Sequence, residues 1–377
     1  MPKQDINNKP YDEATQLKLD IFRKCFREWF PVFVHNSSVS EIYIYDMFAG
    51  SGTDSEGRAG SPLILIEEAI GEEGKYCKKI QEAKKRVKFG FNEKEQNKSD
   101  HLRELVGLKF SQCMKTCELR NCVYSANVYY QSLPFNKIAN SMILNRILAN
   151  RTFAKFILLD QYGFSQITND IFLKLVNSPT TDFIFFISSS FVKRFKEQPA
   201  VSKYFDTQKI KFEESKPKEC HRIIADYFKE LLPKDIEYYI HHFTIRKHTN
   251  YYGLIFGTSH SLGMEKFVKV CWQEDKLLGE SNCNINNDYE EGTLFYNSEE
   301  TSKKSRIKEL VKIKILNGEF VNNVVGLKWV LSQGCEPKLF VEVMNNLIKE
   351  HNIAIEGKFN RQASNIHKVD LYNIRIL

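Results

Sequence analysis

Apolar and polar positions alternate through residues 41–46 (EIYIYD), and the run stops at Asp46. Beyond it lies a small-residue turn, Ala49-Gly50-Ser51-Gly52. An apolar run that hands over to a glycine turn predicts a buried parallel strand feeding a ligand-binding loop in an open α/β sheet. Upstream, residues 11–36 carry helical periodicity. Leu17, Ile21, Cys25 and Trp29 recur at every fourth position, and Phe22 with Phe26 widens the same face. Downstream, Ser61-Pro62 predicts a helix start with Ser61 as the cap, and residues 72–86 read as a charged connector. Strands follow at VKFGFNEKE, ending near Glu93; at NCVYSANVYY, with Asn127 near its carboxyl end; at FAKFILLDQYGF, ending at Asp160; and at TDFIFFISSS. Helices are expected between them over NKSDHLRELVGLKF, FNKIANSMILNRILA and ITNDIFLKLVN.

This alternation predicts an α/β fold with a doubly wound, mostly parallel sheet. Residues 191–235 are charged and read as a helical insertion. Two β-rich runs about a turn at 247–250 predict an edge hairpin, and SLGMEKFVKVCWQ a closing helix. These elements assign residues 1–275 to one α/β domain. Residues 276–300 lack periodicity and read as a linker. The tail, 301–377, predicts three helices and two β-like runs, the order of a winged-helix domain.

Composition adds limits. Apolar residues make up 42% of 377, enough for a real core and too many for general disorder. No signal-peptide pattern and no apolar run of membrane-spanning length is read in the sequence, so a cytoplasmic, non-membrane protein is expected. Nine scattered cysteines suit reduced thiols. Cys113, Cys117 and Cys122 are the one cluster among them, without a recognised metal spacing. The formal charge is +7, and residues 301–377 hold thirteen Lys/Arg against seven Asp/Glu, a net of +6. That asymmetry points to a nucleic-acid contact, DNA or RNA, made by the tail.

The glycine turn fits neither G-x-G-x-x-G, because position 55 is Ser, nor a phosphate loop, because no G-K-[ST] follows. The polar strand ends suit S-adenosyl-L-methionine instead. The loop Asp46, Phe48, Ala49, Gly50 and Gly52 packs on the methionine portion, Glu93 accepts the ribose hydroxyls, and Asn127 meets the adenine. Asp160 stands where the methyl is delivered, and Tyr162 can stack on an acceptor base. Two other readings stay open. One is a methyltransferase-like component that only binds. The other is a nuclease with Asp46, Glu93 and Asp160 around Mg²⁺.

The segments YDMFAGSG (45–52), GSPLILIEEA (60–69), FNEKEQN (91–97), LLDQYGF (158–164) and SHSLGMEKFVKVCW (259–272) together resemble the three-Cys-motif partner proteins. The resemblance covers about residues 15–275, and the tail is similar too. It implies a bacterial or phage-associated protein with a class I methyltransferase-like fold, a place in antiviral defence and a three-Cys-motif partner protein. Its cysteine motif belongs to that partner, so Cys113, Cys117 and Cys122 gain no role from it. The D-x-F-A-G-x-G loop falls on Asp46, Phe48, Ala49, Gly50 and Gly52, the strand-two acid on Glu93, and D-P-F-G on Asp160, Gln161, Tyr162 and Gly163. Gln161 stands where that element has proline, which leaves the cofactor better specified than the acceptor. The resemblance implies the fold and the cofactor more firmly than a reaction, and the leading expectation for the reaction is S-adenosylmethionine-dependent methylation of nucleic acid.

Overall fold

Seven strands make one sheet in the computed structural model, which describes residues 9–161, 163, 165–194, 219–283 and 303–377. They are β1 (Glu41–Asp46), β2 (Arg86–Asn92), β3 (Val128–Gln131), β4 (Phe153–Leu159), β5 (Thr181–Ile187), β6 (Tyr239–Lys247) and β7 (Asn250–Thr258). Their spatial order is β3-β2-β1-β4-β5-β7-β6. The neighbours from β3 through β5 run parallel, and β7 is antiparallel to β5. The apolar runs form the middle of the sheet because both of their faces are covered: every residue of β4 after Phe153 is buried.

The register positions the strand ends. Asp46 lies opposite Phe91 on one side and Leu158 on the other, so Asn92-Glu93 and Leu159-Asp160 follow one step beyond it. The long helix Glu13–His35 is capped by Asp12, whose Oδ1 accepts from Thr15 N–H at 2.9 Å. Its aromatic stripe packs on β4, with Phe26 and Trp29 centred 5.4 and 5.1 Å from the Phe156 ring. Trp29 Nε1 also donates to Asp182 Oδ2 on β5 at 2.6 Å.

Several local expectations give way. The helix Ser61–Ile70 is capped by Gly60, and Ser61 lies inside the first turn with no side-chain cap bond. The charged connector contains a helix, Lys75–Glu82, which buries only Cys77 and Ile80. Residues 135–149 form two helices, Phe135–Ala139 and Met142–Ala149, because Ser141 breaks the first and caps the second through Leu144 N–H at 3.2 Å. Ser141→Ala is expected to cost about 1 kcal/mol in a urea unfolding midpoint series.

By internal contacts the chain divides into two compact units, Met1–Tyr238 with Ile245–Ser259, and Tyr239–Thr244 with His260–Leu377. The expected boundary at 275 therefore falls elsewhere. Helix Ser261–Glu274 places Met264, Val268 and Trp272 in one apolar cluster with Ile307, Val311 and Phe340 of the tail. Trp272 Nε1 donates to Gly334 O at 2.9 Å. The start of the expected linker is ordered too. Asp275 accepts backbone N–H bonds from Leu277, Leu278, Glu280 and Ser281, and Glu280 O accepts from Thr244 N–H at 2.7 Å. Residues 284–302 lie outside the described residues, as do 195–218 of the expected insertion. The described parts of that insertion include two helices, Ser189–Arg194 and Cys220–Glu230.

The rest of the second unit is Lys303–Leu316, Asn323–Ser332 and Lys338–Lys349, followed by the antiparallel pair β8 (Ile353–Glu356) and β9 (Asn373–Ile376). Among the described residues no helix is long and apolar enough to cross a membrane.

Candidate functional site

In an open sheet the ligand crevice lies where the strand order reverses. Here that point is between β1 and β4, and Asp46 and Asp160 stand at its two sides. Asp46 is fully buried. Its Oδ1 accepts from Phe48 N–H at 3.1 Å, and its Oδ2 has no hydrogen-bond partner among the described residues. Burial pushes its carboxyl up to about 7. The Ser61 hydroxyl, the Phe48 N–H and the Lys18 ammonium oppose that rise, and the Asp160 carboxylate adds to it.

The turn after β1 is tied to the neighbouring strands. Met47 N–H donates to Leu158 O at 3.0 Å and Ala49 N–H to Asn92 O at 2.9 Å. Gly50 has φ 63° and donates its N–H to Glu93 Oε2 at 3.1 Å, while Glu93 Oε1 accepts from Glu95 N–H. Gly52 is required by its backbone conformation. Its φ is 91°, and a Cβ there would sit 2.8 Å from Leu102 Cδ1. The Phe48 ring packs 5.0 Å from Phe135. Asn92 was not singled out from the sequence, yet it is buried and joins three strand ends: its Nδ2 donates to Met47 O and its Oδ1 accepts from Leu133 N–H.

Residues 52–60 fold back on themselves. Gly60 N–H donates to Gly52 O at 2.7 Å, and Thr53 bridges Ala59. Asp54 holds this turn from inside, accepting from Tyr11 N–H, Glu56 N–H, Arg58 N–H and Arg58 Nε at 2.7–3.0 Å. Desolvation alone would raise the Asp54 carboxyl, but these donors outweigh it and lower it to about 2.

Asp160 is brought to the site as its place after β4 predicts, with a partner the sequence reading missed. Lys18 Nζ, from helix Glu13–His35, donates to both of its oxygens at 2.8 and 2.6 Å and lies 4.8 Å from the Phe186 ring centre. A signal was present in the sequence. Lys18 shares a helical face with Phe22, Phe26 and Trp29, where a solvated lysine has no place. Tyr11 arrives from the same segment. Its phenol is pushed up to about 12 by burial first, then by the negative charge of Asp54, Asp160 and Asp46.

One expected residue is not brought together with these. Asn127 precedes β3, in the turn Ser125–Asn127, instead of ending it. Because β3 runs parallel to β2, Asn127 is at the opposite end of the sheet, where its Nδ2 donates to Val123 O at 3.2 Å. The third strand is shorter than its apolar pattern suggested, and this moves the residue. Tyr162 lies outside the described residues. Gln161, beside it, is buried. Its Oε1 accepts from Gln166 N–H at 2.9 Å, and its Nε2 has no partner among the described residues.

Two open depressions lie away from this end of the sheet. One, of about 830 Å³, is lined by His35, Lys79, Lys84 and Lys85 at the amino ends of β1 and β2. The other, of about 450 Å³, is lined by Arg103, Phe110, Cys122 and Tyr130 beside edge strand β3. Neither contains a strand-end carboxylate, so the site is placed by the switch point. Cys113, Cys117 and Cys122 are free and partly exposed, and no three ligating side chains among the described residues are grouped to hold a metal.

No protein-family model and no curated protein matches the chain. Among solved structures it is similar to Trm1 from Pyrococcus horikoshii in complex with S-adenosyl-L-methionine, at 13% identity and a TM-score of 0.40, over 70% of this chain and 59% of that one. It is also similar to the putative methyltransferase yhhF from Escherichia coli, at 10% identity and a TM-score of 0.31, over 68% and 91%. A putative O-methyltransferase from Klebsiella pneumoniae gives 10%, 0.32, 67% and 91%. Likeness at these scores carries no argument; the topology does. The sheet is mixed and mostly parallel, and its order β3-β2-β1-β4-β5-β7-β6 with β7 reversed resembles the class I S-adenosylmethionine methyltransferase fold.

Proposed function

We propose that this chain is an S-adenosylmethionine-dependent methyltransferase acting on nucleic acid, of the three-Cys-motif partner type, serving in a bacterial or phage-linked defence system. The observation that carries the reading is the switch point between β1 and β4, where the buried Asp46 leaves Oδ2 unpartnered beside a preformed glycine turn. An orphaned buried carboxylate oxygen and glycine backbone suit the charged amino-acid end of the cofactor. The fit is partial. Asn127 lies at the wrong end of β3 for an adenine contact, so backbone and side chains after Gln131 would have to meet that ring.

When bound, the cofactor supplies an electrophilic methyl group on a sulfonium centre. The chain's part is positioning. Asp46 and the Gly50–Gly52 backbone hold the cofactor, Glu93 fixes the loop through Gly50 N–H, and Asp160 orients the acceptor once Lys18 yields it. The tail, read as a winged helix, holds the nucleic acid.

A second reading has one specific observation in its favour. Both Asp160 oxygens are engaged by Lys18, which suits a fold kept for binding alone. The nuclease reading loses support, because Asp160 and Glu93 already accept from protein donors.

Calorimetry with S-adenosylmethionine, followed by labelled-methyl transfer to DNA, tRNA and cell extract, separates the readings. The expected result is saturable binding abolished by Gly50→Trp, and transfer lost in Asp160→Ala. Binding of DNA without any methylated product supports the second reading, and no binding at high cofactor concentration defeats the first.

A further inference from the structure

Strand β5 turns alternate residues to the two sides of the sheet. Asp182 faces helix Glu13–His35, where its Oδ2 accepts from Trp29 Nε1 at 2.6 Å. Phe186 lies an even number of positions further on and faces the same side. The step from Asp182 to Phe186 spans about 13 Å of strand, and the step back from Trp29 to Lys18 about 16 Å of helix. The two elements therefore bring Lys18 over Phe186, and its Nζ stands 4.8 Å from the ring centre. The same nitrogen donates to Asp160 Oδ1 and Oδ2 at 2.8 and 2.6 Å. On β7, antiparallel to β5, Tyr252 backs the Phe186 ring, with centroids 5.0 Å and planes 11° apart.

One nitrogen thus meets two carboxylate oxygens and a ring face at once, and that set selects for the atom it holds. An ionised carboxylate only accepts, and a ring face attracts a cation or an N–H. An ammonium brings three N–H donors and an amine two, whereas a hydroxyl brings a single O–H and can satisfy one of these acceptors. The place is also reached from solvent. Lys18 and Asp160 keep 13% and 17% of their side-chain surface exposed, and Phe186 and Tyr252 are partly exposed.

We infer that Asp160 and Phe186 form a subsite for the amino group of an incoming substrate, and that Lys18 is its built-in occupant, displaced when that substrate enters. The inference rests on the methyl-transfer reading above, which sets Asp160 beside the acceptor, and it fixes the acceptor atom as nitrogen and not oxygen. Under the nucleic-acid reading, the bases that qualify are those with an exocyclic amine. A tethered ammonium acts at a high effective concentration. In the parent protein a small free amine therefore competes poorly, and contacts with the rest of the substrate must supply the energy that expels Lys18.

The test is ligand-observed NMR on the full chain with n-butylamine against n-butanol, and with cytidine against uridine, without added cofactor. Lys18→Met is expected to bind n-butylamine at least about tenfold tighter than n-butanol, and tighter than the parent does. Lys18→Met/Asp160→Asn is expected to bind both small probes equally. Lys18→Met/Phe186→Leu is expected to bind n-butylamine about threefold more weakly than Lys18→Met. Cytidine is expected to be preferred over uridine in the same pattern. Thermal unfolding establishes that each variant is folded, and Lys18→Gln gives the same comparison where Lys18→Met is not. No amine preference in Lys18→Met overturns the inference, as does a preference that survives Asp160→Asn. Equal affinity of parent and Lys18→Met for n-butylamine overturns it too, because the amine then binds elsewhere. Preference for n-butylamine with no binding of either nucleoside keeps the subsite and removes the nucleic-acid reading. An amine preference in a chain that binds no S-adenosylmethionine keeps the subsite and removes the methyl-transfer reading.

Discussion

Asp46→Asn is expected to stabilise the protein above pH 7 and to leave it unchanged near pH 3.5. Folding moves this carboxyl from the usual 3.8 up to about 7, because full burial penalises the charged form. Between those values the folded chain binds the proton and the unfolded chain releases it. Stability from this group is therefore complete below 3.8 and falls as pH rises to about 7. The interval corresponds to on the order of 4 kcal/mol, an upper limit, since Lys18 and local rearrangement can absorb part of it. An asparagine keeps the acceptor for Phe48 N–H and never ionises, so the variant lacks this slope. Urea unfolding of both proteins from pH 3.5 to 8.5 decides the matter, and parallel curves would show that Asp46 titrates as an ordinary carboxylate. The same logic extends to ligands. A cation set against Oδ2 relieves the penalty, so S-adenosylmethionine is expected to bind more tightly as pH rises through 7 in the parent and not in the variant.

Lys18→Met is expected to cost about 2–3 kcal/mol at pH 7, somewhat less than breaking a fully buried pair, because Lys18 and Asp160 keep 13% and 17% of their side-chain surface exposed. The loss comes from what is left behind. Asp160 would remain near the buried Asp46 with no counter-charge, and Asp46 would lose a cation that now holds its carboxyl down. Adding Asp160→Asn removes the stranded charge, so the double variant is expected to recover most of the stability. Guanidinium unfolding of the parent, both single variants and the double variant gives the coupling directly. A double variant as unstable as the sum of the singles would show that the two residues act separately.

The central strands were legible because apolar runs such as FILL and FIFF need cover on both faces, and only the middle of a parallel sheet offers it. The strand-end acids followed from counting to the end of each run. Asn127 failed for the same reason in reverse: NCVYSANVYY reads as one strand, yet only its last part pairs with β2, so the residue thought to end the strand begins it. Helix Lys75–Glu82 escaped notice since its buried face is only Cys77 and Ile80 among lysines and glutamates. Lys18 and Asp160 are 142 positions apart, and no local pattern pairs residues at that separation. What could be read was the anomaly of a lysine on an aromatic face. Asp54 was visible only as one polar residue in a polar loop; its four donors come from Tyr11, Glu56 and Arg58 and exist only in the folded turn.

The chain crosses between its two compact units at three places, after Tyr238, after Thr244 and after Ser259. A single scissile bond therefore cannot release either unit whole. Cleavage after residue 275 would strip Met264, Val268 and Trp272 from the tail's apolar cluster, and cleavage before Ile245 would deprive the first unit of β7. During synthesis the first unit must wait for β7, after the chain has already laid down part of the second. Limited proteolysis of the native protein should accordingly yield, from any single cut, no fragment that comprises either unit alone and whole.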